Sequence, residues 1–132
     1  MPRNEFDQTA QPSSKDCSAT ISAVALATLD MAASVQFYEA LGFKLTFGGV
    51  AAPFSSLRFG QCFVNLALRE IETPVAWWGR VIFHVPDVDA VYDMAMVNGF
   101  DVEAPPRDAP WGERYFHITD PAGHQLSFAK PL

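Results

Sequence analysis

One pattern occurs twice in this chain at a fixed distance, which ties the chain to a repeated supersecondary unit. Ala23, Asp30, Gly42 and Phe43 each stand 57 positions before Arg80, Asp87, Gly99 and Phe100. In the first copy the short run ISAVALAT reads as a strand and Asp30 as the N-cap of a helix. Val35, Tyr38 and Leu41 recur at helical spacing, and Gly42 supplies the left-handed residue that ends the helix. Three strand-like runs follow, KLTFGG, SSLRFG and CFVNLALR, punctuated by Gly48, Gly49, Pro53 and Gly60. The second copy runs GRVIFHV, a cap at Asp87, an apolar stripe of Val88, Val91, Tyr92 and Ala95, a stop at Gly99, and then DVEA, RYFHITD and QLSFAK, with a DPAG turn before the last. The spacing predicts an α+β chain of two tandem βαβββ units, over about residues 19–72 and 77–132. Both belong to one domain, 19–132, behind a flexible tail at 1–18 that mixes charge, Pro, Ser and Gln without apolar periodicity.

A length of 132 residues, 49% of them hydrophobic and 18% charged, suits one globular domain. The formal net charge of −6 speaks against nucleic acid as a partner, because such binding draws on Lys and Arg meeting phosphates. It favours the approach of cationic small molecules instead. No apolar run is long enough for a membrane span and no secretory signal is visible, so no membrane partner and a cytoplasmic location are expected. Cys17 and Cys62 are the only cysteines, too few for a disulfide framework, and both are expected to be reduced.

The segments LATLDMAASVQFYEALGF and PWGERYFHITDPAGHQLSFA, each in its place in a duplicated βαβββ chain, resemble the vicinal oxygen chelate superfamily, the fold of glyoxalases, bleomycin-resistance proteins and extradiol dioxygenases. The motifs carrying the resemblance are D-x7-Y-x3-GF from Asp30 and W-G-x-R-x-F-x3-D-P-x-G from Trp111, and the match spans about residues 20 to 130. It implies a cupped, partly open, barrel-like mixed sheet. It fixes the fold more firmly than the function, since the superfamily holds both enzymes and drug-binding proteins without catalysis.

The resemblance also implies where a metal would sit in the superfamily's enzymes: one ligand on the first strand and one on the last strand of each unit. The first-strand positions, seven residues before each capping Asp, are Ala23 and Arg80. The last-strand positions match Asn65 in VNL and Ser127 in LSF. Ala offers no lone pair and a guanidinium is a permanent donor-only cation, while Ser and a lone Asn replace carboxylates poorly. Neither metal nor cofactor is expected.

Strand parity assigns the faces. Arg80, Ile82 and His84 share one side, and Val81, Phe83 and Val85 pack inward. Ala23, Ala25 and Ala27 line the concave face of the first unit with Phe63, Asn65 and Ala67, and Tyr115, His117, Gln125 and Ser127 complete it from the second. Trp78 and Trp111, like Trp77, sit in loops where rigid aromatics stack on planar ligands or close subunit interfaces. The expected ligand-binding set is Ala23, Ala25, Phe63, Asn65, Trp78, Arg80, His84, Trp111, Tyr115, His117 and Ser127, with no catalytic residue assigned. Arg80 either clamps a ligand carboxylate or pairs with an acid such as Glu113, and His124 is expected in a solvent-exposed turn. The reading favours a metal-independent binding protein for an aromatic small molecule, antibiotics among the candidates, with its cleft shared in a homodimer. The alternative is a lyase, isomerase or dioxygenase relative with non-standard ligands or with His84 or His117 as acid/base.

Overall fold

The computed structural model describes residues 19–132, so the expected tail at 1–18, Cys17 included, lies outside the described residues. The order is β1 (Ala23–Thr28), α1 (Met31–Ala40), β2 (Lys44–Phe47), β3 (Phe54–Phe59), β4 (Cys62–Leu68), β5 (Arg80–His84), α2 (Val88–Val97), β6 (Asp101–Val102), β7 (Arg107–Ala109), β8 (Glu113–Thr119) and β9 (Gln125–Pro131). Both helices start as the sequence indicates. The carboxylates of Asp30 and Asp87 accept from the backbone N–H of Ala33 and Ala90, each at 3.0 Å.

The strands form two mixed sheets, ordered β1-β4-β3-β2 and β5-β9-β8-β6, and they do not close into a barrel. In each unit the first strand pairs in parallel with the last, Ala23 opposite Phe63 and Arg80 opposite Gln125. The one element the sequence did not announce is β7, a three-residue edge strand pairing with β8 through Arg107 and Tyr115.

The inward faces meet in an aromatic core. Phe43 stacks on Phe59 with ring centroids 3.9 Å apart, and Phe83 and Phe116 both stack on Phe128. Phe37 of α1 meets Phe100, the repeat partner of Phe43, at 4.7 Å. The outward faces carry the alternate residues, which is the parity that places the candidate site.

Polar contacts sew the units together. The Tyr38 hydroxyl donates to Asp120 Oδ2 at 2.7 Å. His124, expected in solvent, is instead buried, with Nδ1 2.9 Å from Trp78 Nε1 and Nε2 2.8 Å from the Ala27 carbonyl. Indole N–H only donates, so Nδ1 must accept and the ring hydrogen sits on Nε2, donated to Ala27. The turn folds back because Asp120 Oδ1 accepts from the N–H groups of Ala122 and His124. That brings the imidazole against β1 of the other unit.

Candidate ligand-binding site

On the outward face of the second sheet a cavity of about 280 Å³ is framed by Arg80 and Ile82 of β5, Glu113, Tyr115 and His117 of β8, Ser127 and Ala129 of β9, and Trp111 from the preceding loop. Strand register explains the grouping. Ser127 lies between Ile82 and His117, and Ala129 between His84 and Tyr115, so two rows of side chains cross three strands.

One end is cationic. Arg80 Nη1 donates to the Leu126 carbonyl at 3.0 Å and to Ser127 Oγ at 3.3 Å, and the guanidinium lies 5.5 Å from the Trp77 ring centroid. Burial lowers the Arg80 pKa, and Glu103 opposes that shift. Ser127 Oγ is 2.6 Å from His117 Nδ1. Because Arg80 can only donate, Ser127 Oγ accepts from it, and its second contact, with His117 Nδ1, runs in the direction that the imidazole tautomer sets. Burial first, and then the nearby Arg80 and Arg107 charges, push the His117 pKa down despite Glu103, so the ring is neutral at pH 7.

The other end is acidic. Glu113 sits between His84 Nε2 at 2.9 Å and the donating Trp111 Nε1 at 3.0 Å. The His84 bond, then the Trp111 bond, hold its carboxyl below the usual range. Glu113 is therefore engaged by His84 and Trp111 rather than by Arg80. Trp111 and Tyr115 rings are 5.5 Å apart and tilted by 34°, and Arg107 covers Tyr115 at 4.3 Å.

Of the residues singled out from sequence, Arg80, Trp111, Tyr115, His117 and Ser127 border this one cavity. His84 reaches its rim through Glu113 and also borders a larger hollow of about 450 Å³ beside Phe59, Cys62 and Phe83. Ala23, Ala25, Phe63 and Asn65 share a face of the other sheet, where Ser56 donates to Asn65 Oδ1 at 2.6 Å, and are not gathered with Arg80 within one chain. Trp78 is committed to His124 at the seam and lines a separate small hollow of about 80 Å³, away from Arg80's cavity. Glu113, Ile82 and Ala129, outside the expected set, also border the cavity. Parity on β5 and β8, where Ile82 alternates with Phe83 and Glu113 shares a side with Tyr115 and His117, was the available signal.

Residues 20–128 match the Glyoxalase/Bleomycin resistance protein/Dioxygenase superfamily. The chain belongs to that superfamily. A Mycobacterium bovis protein without an assigned function is 38% identical over 63 residues, 46% of this chain and 41% of its own length. The chain thus spans about two fifths of the length of that curated relative. Among solved structures, TioX from Micromonospora sp. ML1 superposes with a TM-score of 0.71 at 27% identity, covering 86% of this chain and all of TioX. A bleomycin resistance determinant encoded on transposon Tn5 gives 0.71 at 21% identity, covering 86% of this chain and 98% of the other, and so shares the fold.

The superfamily's metal centre does not fit the residues present. Of the four positions, Ala23 has no donor atom, Asn65 is bonded to Ser56, and Arg80 donates to Ser127. A guanidinium on one ligand position and aimed at another excludes a divalent ion from that half-site electrostatically. Among the described residues no three His, Cys, Asp or Glu side chains converge elsewhere, and no helix is long and apolar enough to cross a membrane.

Proposed function

We propose that this superfamily member is a metal-independent binding protein that sequesters an aromatic small molecule, antibiotics among the candidates, in a cleft completed by a second copy of the chain. The observation that carries the reading is the Arg80–Ser127–His117 hydrogen-bonded row standing where a metal centre would be, beside the Trp111–Tyr115 wall. Such a cavity has apolar area, stacking surface and a few fixed polar groups, the usual make-up of a small-molecule site. The name of the Tn5 relative adds support by analogy of fold. For the second copy, support comes from the outward face of the first sheet, where Phe47 and Phe54 are exposed on the side that carries Ala25 and no helix of the described residues covers them.

Tryptophan-fluorescence titration with a panel of planar aromatic compounds, bleomycin included, tests this, because Trp111 borders the cavity. Saturable quenching with a dissociation constant well below about a millimolar is expected, and Ala25→Trp is expected to weaken it by crowding the partner's face of the cleft. No binding across the panel overturns sequestration, and binding that ignores Ala25→Trp removes the first unit's face from the site. An acid/base enzyme of the same superfamily is the second reading. It draws on His117, whose neutral ring borders the cavity, and would show as turnover lost in His117→Phe with ligand binding retained.

A further inference from the structure

Resting on that reading, we infer that the cavity recognises its aromatic ligand by a carboxylate, gripped by the free edge of Arg80 while the ring system lies along Trp111 and Tyr115. Net charge points the other way, toward cations, so the local geometry has to decide.

Arg80 has five N–H donors in a rigid fork. Only Nη1 is engaged among the described residues, with Leu126 O and Ser127 Oγ, and none of the described ion pairs includes Arg80. Nη2 and Nε remain as a two-pronged edge of the kind that matches a carboxylate. The Trp77 ring lies 5.5 Å from the guanidinium, and the Leu126 carbonyl holds Nη1. The neighbours cannot supply the missing acceptor. Ser127 Oγ is taken up by Arg80 Nη1 and His117 Nδ1, and Glu103, whose charge reaches Arg80, is bonded to Arg107. A half-buried guanidinium whose outer edge meets no hydrogen-bonded carboxylate among the described residues is an incomplete arrangement, and a ligand carboxylate completes it.

The far end selects in the same sense. Glu113 is already satisfied by His84 and Trp111, and it stands four residues along β8 from His117, about 13 Å at the usual strand rise. A carboxylate at Arg80 therefore sits at the other end of the cavity from that acid. Between the two ends the floor is Ile82 and Ala129. Arg107 occupies one side of Tyr115, leaving stacking area for one flat ring system against the Trp111 side. The −6 net charge acts on approach and is screened, whereas the Arg80 contact is made inside the site, where charge-assisted bonds are strongest.

The test compares 2-naphthoic acid with 2-naphthamide, which keeps the flat ring and loses the charge, by calorimetry on the full chain. Wild type is expected to bind the acid at least about tenfold more tightly than the amide, the scale of a charged hydrogen bond. Arg80→Met is expected to bring the ratio to about one, and Arg80→Lys to leave an intermediate value, because the charge survives and the fork does not. Equal binding of both compounds by wild type overturns the carboxylate assignment and leaves aromatic sequestration standing. So does a ratio that persists in Arg80→Met, confirmed folded by its thermal melt. Failure of both compounds to bind wild type at millimolar concentration overturns this inference, and the bleomycin-containing panel then judges the broader reading separately.

Discussion

Tyr38 gives its hydroxyl hydrogen to Asp120 in a place water does not reach. Burial, reinforced by the Asp120 charge and by that bond, raises the tyrosine pKa well above its ordinary value. An acid whose pKa is higher folded than unfolded stabilises the fold in full below the unfolded value, near pH 10, and loses that contribution as pH climbs toward the folded value. Urea melts between pH 8 and 11 are thus expected to show a steeper alkaline fall in wild type than in Tyr38→Phe. At neutral pH the variant is expected to be weaker by about 1–3 kcal/mol, since a buried carboxylate loses a donor. Identical alkaline limbs would show that Tyr38 does not titrate with unfolding. His124, at the same seam, marks where reading residues singly fails. Its sequence neighbours are a Pro-Gly turn, and nothing local reveals that Ala27 and Trp78 are its partners. The Arg80–Ser127 contact was closer to legible, because strand parity puts both on one face and only the diagonal reach along the strands was hidden.

Helices were legible because their signals are local: a capping Asp, a three-to-four spacing of apolar residues and a glycine stop. The edge strand β7 was not, since Pro105 and Pro106 before it and Pro110 after it read as loop, and only pairing with β8 makes it a strand. Its consequence for the site is direct, for it carries Arg107 onto Tyr115. Glycines at element ends differ in what they protect. Gly42 has φ +101° with open space where a Cβ would go, so Gly42→Ala faces backbone strain alone, about 1–2 kcal/mol. Gly48 has φ +79°, and its Cβ would run into the Phe54 carbonyl and the Ser55 backbone, which belong to β3 and cannot swing aside. Gly48→Ala is expected to cost at least about twice as much as Gly42→Ala. Chemical denaturation of the two variants checks this, and equal losses would mean the β2–β3 turn relaxes freely.

At the scale of the molecule, duplication and fold class followed from one 57-residue offset, whereas the division of the site residues between two sheet faces did not. Parity says which side of a strand a residue occupies and is silent on whether two sheets turn those sides toward each other within a chain. With Phe47, Phe54 and Leu68 exposed on the first unit, the chain is expected to be a homodimer in solution at micromolar concentration. Light scattering is the check, and a stable monomer would separate the cleft from any partner copy. The parallel pairing of β1 with β4 and of β5 with β9 carries a consequence for the order in which this fold is made. Neither unit closes its sheet until its own last strand has left the ribosome, and the Tyr38 and His124 clasps wait for the turn just before β9, the last strand of the second unit. For most of its synthesis the first unit therefore stands without the Asp120 that receives the Tyr38 hydrogen, and a pause in translation ahead of that turn would hold the nascent chain in its most adhesive state.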